Sequence, residues 1–175
     1  MKHAVSVLVV LVLVFAVTHP LVFTVAGAYA QTPKIERIDV VDYGIYTADV
    51  ISSQRDAQGI LQSSSENVRH TKTTRTIPAQ LGLRFGFRFA VVGAPNGAKV
   101  QLRKVTIYPA NGLQNPISGK HISRSEATVT TTVGETQYTA YKFDDPWELA
   151  IGVWTIEIWY GDRKLTSQTF TVVKP

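Results

Sequence analysis

"GVWTIEIWYGDRKL", residues 152–165, packs two of the chain's three tryptophans into one short alternating run. Successive side chains of an extended strand point to opposite faces. Trp154, Ile156, Ile158 and Tyr160 therefore share one side, and Val153, Thr155, Glu157 and Trp159 the other. The first set is apolar or aromatic throughout. It continues with Phe170 and Val172 beyond a tight Gly161-Asp162 turn, so 153–160 and 164–173 read as a core hairpin. Trp159 sits beside Thr155 and Glu157 and has two readings. It is a flat stacking surface for a sugar ring or a partner's side chain, or a ring laid over its cross-strand neighbours or under the loop at 144–151. Tyr160, at the hairpin end, either joins such a platform or turns its hydroxyl to water.

Outward from this hairpin the chain keeps the same grammar. Valine, isoleucine, threonine and aromatics dominate, and no stretch beyond the first 30 residues has a helical period. In "LGLRFGFRFAVV" (81–92), Leu81, Leu83, Phe85, Phe87, Phe89 and Val91 alternate with Gly82, Arg84, Gly86, Arg88 and Ala90, the pattern of a half-buried antiparallel strand. "GAPNGAK" then offers proline followed by Asn-Gly, suited to a type I turn closed by a left-handed glycine. Residues 99–108 return as its expected partner strand. Their apolar phase slips between Leu102 and Val105, which predicts a bulge near Arg103 or Lys104. Residues 34–50 read as a strand pair or one long bent strand with Gly44 at the bend. The polar, glycine-punctuated 51–65 reads as a long loop, 66–80 as a polar strand ending at Pro78, and 109–121 as another loop. Segments 122–133 and 136–143 are two further strands around Gly134-Glu135, and 144–152 is a corner in which Trp147 plugs the end of the core or stands at a binding edge. About seven to nine strands without helices predict an all-β, antiparallel, immunoglobulin-like β-sandwich, with a small closed barrel as the alternative.

The first 30 residues have a different character. Lys2 and His3 precede a nearly pure apolar run, and "AGAYA" (26–30) supplies small residues for a cut after Ala30 or Ala28. This is the pattern of a cleaved signal peptide, leaving a single domain over 31–175 with no stable membrane span and a periplasmic or secreted destination. The chain has no cysteine, so its core must hold it without disulfides, and thiol chemistry is excluded. It carries 18 Lys and Arg against 13 Asp and Glu, an excess too mild for a nucleic-acid footprint.

Chemistry-bearing patterns are sparse. His70 and His121 lie in no metal-ligand spacing, and no nucleophile elbow or phosphate loop is present. Asp144 and Asp145 are adjacent, and neighbours on an extended segment point apart, so they read as turn caps before Pro146 rather than an acid–base pair. Asp42 and Asp49 lack the spacing of a calcium loop. No cofactor is implied, and a non-catalytic protein is expected. The basic run "RHTKTTR" (69–75) puts Arg69 and Arg75 on one face and Lys72 on the other. Such charges guard a strand edge or contact an anionic partner. Arg84 and Arg88 add two cations on one strand face around Gly86, a site of close approach.

"VDYGIY", "FGFRFAVVGAPNGAKV" and "DPWELAIGVWTIEIWYGDRKLTSQTFTV" together resemble a family of small exported bacterial domains of unknown function, over nearly the whole chain after the leader. The last pattern also recurs as the final hairpin of immunoglobulin-like sandwiches. The resemblance implies an exported sandwich and brings no catalytic residues with it. The expected function is binding of an unknown protein or envelope component, with loops 51–65 and 109–121, Arg69, Lys72, Arg75, Arg84, Arg88 and Trp159 as contacts. The alternative is a carbohydrate-binding module that uses Trp159, Tyr160 and Trp147.

Overall fold

The computed structural model describes residues 32–175; the leader expected over 1–30, with its cleavage site, lies outside them. Eleven strands follow in order: β1 (Lys34–Arg55), β2 (Leu61–Lys72), β3 (Thr76–Pro78), β4 (Arg84–Ala94), β5 (Lys99–Ile107), β6 (Leu113–Gln114), β7 (His121–Ile122), β8 (Arg124–Thr132), β9 (Thr136–Lys142), β10 (Gly152–Tyr160) and β11 (Arg163–Val173). A short 3-10 turn, Pro146–Glu148, makes the corner before β10. A four-stranded sheet in the order β2-β1-β4-β9 faces a five-stranded one in the order β3-β11-β10-β5-β8, and β6 and β7 form a separate small ribbon. The pattern is a sandwich of two sheets rather than a closed barrel.

The two alternating runs meet in the core. Phe85, Phe87, Phe89 and Val91 from β4 and Trp154, Ile156 and Ile158 from β10 are fully buried, as are Phe170 and Val172 on β11. Trp154 stands edge-on to Tyr108 at 5.0 Å, Phe143 at 5.6 Å and Phe85 at 5.7 Å, and tilts against Tyr141 at 4.8 Å. Edge-to-face packing suits the ring quadrupoles. The indole N–H, which burial would otherwise strand, donates to the Ala150 carbonyl at 2.9 Å.

Several expectations are corrected. β4 and β5 are not hairpin partners. The 95–98 turn carries the chain to the opposite sheet, where β5 pairs with β10 and β8. Its closing bond runs from Ala98 N–H to Pro95 O, so proline takes the first place and Gly97, at φ +80°, the third, as a type II turn requires. β5 has no bulge, and its pairing runs unbroken on both sides. The phase slips because Lys104 and Thr106 follow Val100 and Leu102 on the inner face. The stretch 51–65 is no loop: β1 continues to Arg55 and β2 begins at Leu61, around a tip at 56–60. Asp56 holds that tip by accepting the N–H groups of Gln58 and Ile60. The expected strand 66–80 divides, since β2 ends at Lys72 and β3 joins the other sheet, parallel to β11. The sandwich is thus antiparallel except for that pair. β4 starts only at Arg84, leaving Leu81 exposed in the preceding turn. The 109–121 stretch contains β6. Gly44 does mark a close approach: a Cβ there would meet the Lys72 carbonyl oxygen at 1.9 Å.

Trp154→Ala should cost about 3–5 kcal/mol in urea-denaturation stability, whereas Trp159→Ala on the outer face should cost less than about 1.5 kcal/mol.

Candidate functional site

The long β1–β2 arm forms one wall of a pronounced groove. Beyond Tyr46 the arm leaves the sheet and crosses the flank of the sandwich. Its tip is fastened on the far side: Arg55 pairs with Asp145 at 2.8 Å, Gln58 donates to the Arg124 carbonyl, and Asn115 and Lys120 donate to the carbonyls of Gln58 and Ala57. On this flank β9 ends one sheet and β8 ends the other, and the short link at 133–135 joins them. Between arm, β8 and β9 lies a groove of about 660 Å³. Consecutive residues 137–142 of β9 and 127–130 of β8 line it, so both strands present their free edges rather than one face. Serines 52, 53 and 63–65 of the arm form the facing wall.

The lining contains Arg84, Lys104 and Lys142 and no carboxylate. Lys142 is neutralised by Asp144. Arg84 is only 6% exposed, yet its guanidinium has no acidic partner and donates to the Ser65 hydroxyl at 2.8 Å. Arg88, four residues along the same face of β4, shows what this chain does elsewhere with such a group. It makes a bidentate pair with Asp42, which also accepts from the Tyr46 hydroxyl at 2.6 Å. The hydrogen bond from Arg88 holds the Asp42 carboxyl below its ordinary range, against its burial. Lys104 enters from β5, and its ammonium donates to the Ala140 carbonyl of the β9 edge at 2.7 Å. Burial, and then the Arg84 charge, push its pKa down to about 8. The hydroxyls of Tyr138 and Tyr141 are buried, the first against Arg84 and the second toward Tyr108 and Glu148, and burial raises the pKa of both.

Behind Tyr141 lies Glu148, only 1% exposed. One oxygen accepts the Asp144 N–H at 2.8 Å and the other has no partner. Burial raises its pKa to about 7, against the backbone hydrogen bonds that favour its charge. Tyr108, packed on Tyr141, shares a 2.7 Å hydrogen bond with Ser125 at the groove. Among the described residues, no three His, Asp or Glu side chains gather where a metal ion would reach them.

The family model for a domain of unknown function (DUF3859) matches residues 34–172. The chain belongs to this family. Its fold is similar to the crystal structure of an immunoglobulin-like protein from Pseudomonas aeruginosa, at 25% sequence identity and a TM-score of 0.56; the match covers 84% of this chain and 100% of that one. No curated protein matches the chain. The DUF3859 chain is thus an all-β, immunoglobulin-like sandwich, as its strand pattern predicts.

Of the contacts expected from the sequence, the stretch 51–65 and Arg84 lie in the groove of this DUF3859 domain. Arg88 is committed to Asp42. Arg75 stacks on Tyr43 with its guanidinium 4.1 Å from the ring centre and donates to Thr169 and Gln168, stitching the crossover between sheets. Arg69 and Lys72 are exposed on β2, the opposite edge of that sheet from β9. Trp159 is half-buried on the outer face of β10. Its N–H donates to Glu157 at 2.8 Å, with Arg103 and Lys164 against the ring at 5.3 and 5.7 Å. That arrangement is the cross-strand reading, a ring already stacked on its neighbours. Tyr160 does not point to water, since its hydroxyl donates to the Pro33 carbonyl at 2.8 Å. Trp147 packs against the core. Lys104, Tyr138 and Tyr141 were missed. The available signal was the phase slip in 99–108, where a lysine takes an inner position of an alternating strand.

The two perturbed groups give opposite pH dependences. Folding favours neutral Glu148, so its contribution is full below pH 4.5 and is lost as pH rises through about 7. Folding also favours neutral Lys104, so stability rises as pH climbs from about 8 to 10.5. In urea denaturation against pH, Glu148→Gln should flatten the acidic limb and Lys104→Met the alkaline one.

Proposed function

We propose that this protein is an exported, non-catalytic binding domain of the cell envelope, and that it holds a hydroxyl-rich ligand, a glycan, in the groove between β8, β9 and the arm. The observation that carries this reading is the groove itself. Its volume lies within the range of small-ligand sites, and its walls combine hydroxyl, amide and basic side chains and the polar backbone of two strand edges with the aliphatic Ile60, Leu61, Val68 and Val129. Such walls offer donors and acceptors to the hydroxyls of a sugar and apolar patches to its ring faces. The leader pattern at 1–30 supports export, and no helix among the described residues is long and apolar enough to cross a membrane. A protein contact would have to use Arg69 and Lys72, exposed on β2, since Arg75 and Arg88 are bound within the fold and Trp159 is stacked on its own strand neighbours.

The test is a titration of the isotope-labelled protein with a panel of soluble bacterial envelope oligosaccharides, followed by amide chemical shifts. The expected shifts fall on 52–65, 125–130 and 137–142, with the sugars recovered uncleaved. Ala127→Trp, which fills the groove, should abolish them, and Trp159→Ala should leave them unchanged. Binding that survives Ala127→Trp and vanishes in Trp159→Ala would move the site to the outer face and overturn the reading.

A further inference from the structure

The groove is unevenly furnished. Most of its wall is neutral, but its deepest charged groups are two cations of the same sign, Arg84 and Lys104, close enough that one depresses the other's protonation. Burying a charge without a counter-ion is unfavourable by several kcal/mol, and two like charges together more so. Elsewhere this chain gives an acid even to cations that stay partly exposed: Arg88 has Asp42, Lys142 has Asp144, and Lys164 has the nearly buried Glu157 at 2.9 Å. Arg84 has a hydroxyl and Lys104 a carbonyl. Beside them the buried Tyr138 hydroxyl faces Arg84, whose charge and N–H work against its raised pKa, and no acceptor takes its proton. The Tyr141 hydroxyl is turned instead toward Tyr108 and Glu148.

We infer that Arg84, Lys104 and the Tyr138 hydroxyl form a built oxyanion subsite, which takes a carboxylate or phosphate group carried by the groove's ligand. The inference rests on the groove reading above and gives the ligand its class: a sugar acid or a sugar phosphate. A guanidinium offers a planar fork of donors, the ammonium a point charge, and the phenol a neutral donor, a set that suits either oxyanion. The titratable and charged groups in the lining are Arg84 on β4, Lys104 on β5, and Tyr138, Tyr141 and Lys142 on β9. Behind them, Asp144 pairs with Lys142, Asp56 at the arm tip accepts from Gln62, and Glu148 faces Tyr141. The anion therefore meets no like charge in the lining, and its grip depends on the Lys104 proton.

Three probes differ only at carbon 6 of one ring: glucose, glucuronic acid and glucose 6-phosphate. With the protein at pH 7, both acids should bind at least about tenfold more tightly than glucose, as charge-assisted hydrogen bonds imply. Arg84→Gln should remove the difference without lowering stability, because the substitution removes an uncompensated buried charge. Lys104→Met should reduce the difference, and in the unsubstituted protein the preference should fall as pH rises past about 8. Tighter binding of the phosphate assigns a sugar phosphate, and tighter binding of the carboxylate a sugar acid. Equal binding of all three probes, unchanged in Arg84→Gln, would overturn the subsite and leave the groove as a neutral-glycan site. Groove resonances unmoved by any probe or by the oligosaccharide panel would overturn both.

Discussion

Everything in this sandwich depends on the contact of Trp154 with the opposite sheet. The chain has no cysteine, so no disulfide joins the two layers. The ring of Trp154 instead inserts among Phe85, Tyr108, Tyr141 and Phe143. Large aromatic side chains bury more area per residue than any others. A sandwich of this size can thus be held by a short run of them, with the polar atoms of Trp154 and Tyr108 matched by Ala150 and Ser125. The corner at Pro146–Glu148 therefore serves the core directly, since it positions the carbonyl that Trp154 needs.

The same core explains where the groove lies. Apolar filling runs through the middle of the sandwich and stops at the flank formed by β8 and β9. There the inner face of β5 changes from Val100 and Leu102 to Lys104 and Thr106, and the sheets are bridged by a lysine reaching a carbonyl rather than by side-chain packing. A flank left in this way exposes two strand edges, which proteins ordinarily cover or charge. Here the β1–β2 arm spans the opening and is pinned at its tip, so the edges are sheltered but not paired. Shelter without pairing is what makes a binding groove rather than a continuation of the sheet. The unpaired Arg84 and Lys104 give that groove its sign.

Most of the architecture was legible in the sequence because strand periodicity records which side chains face inward. The inward runs at 85–91 and 154–158 and the final hairpin follow from alternation, and an all-β fold from the number of such strands; the choice of a sandwich over a barrel came from the pairing. The arm did not, because both of its faces meet solvent along much of its length and a strand with two polar faces carries no period. Strand partners were also hidden. The alternation of 81–92 and 99–108 says that each is half-buried and says nothing of whether they share a sheet. Of the groove, Arg84 was visible as a cation beside a glycine, and Lys104 only as a break in phase.

What the sequence determined by itself, then, is the class of fold and the identity of its core, since burial of a periodic apolar face is a local property of each strand. The tertiary structure alone decided which of the basic residues are free. Arg75, Arg84 and Arg88 are alike as sequence. They differ because pairing places Asp42 opposite Arg88, the sheet crossover places Tyr43 beneath Arg75, and the arm places Ser65 and no acid near Arg84. Whether a charge is spent or available depends on partners distant in the chain, and that information exists only once the strands have met.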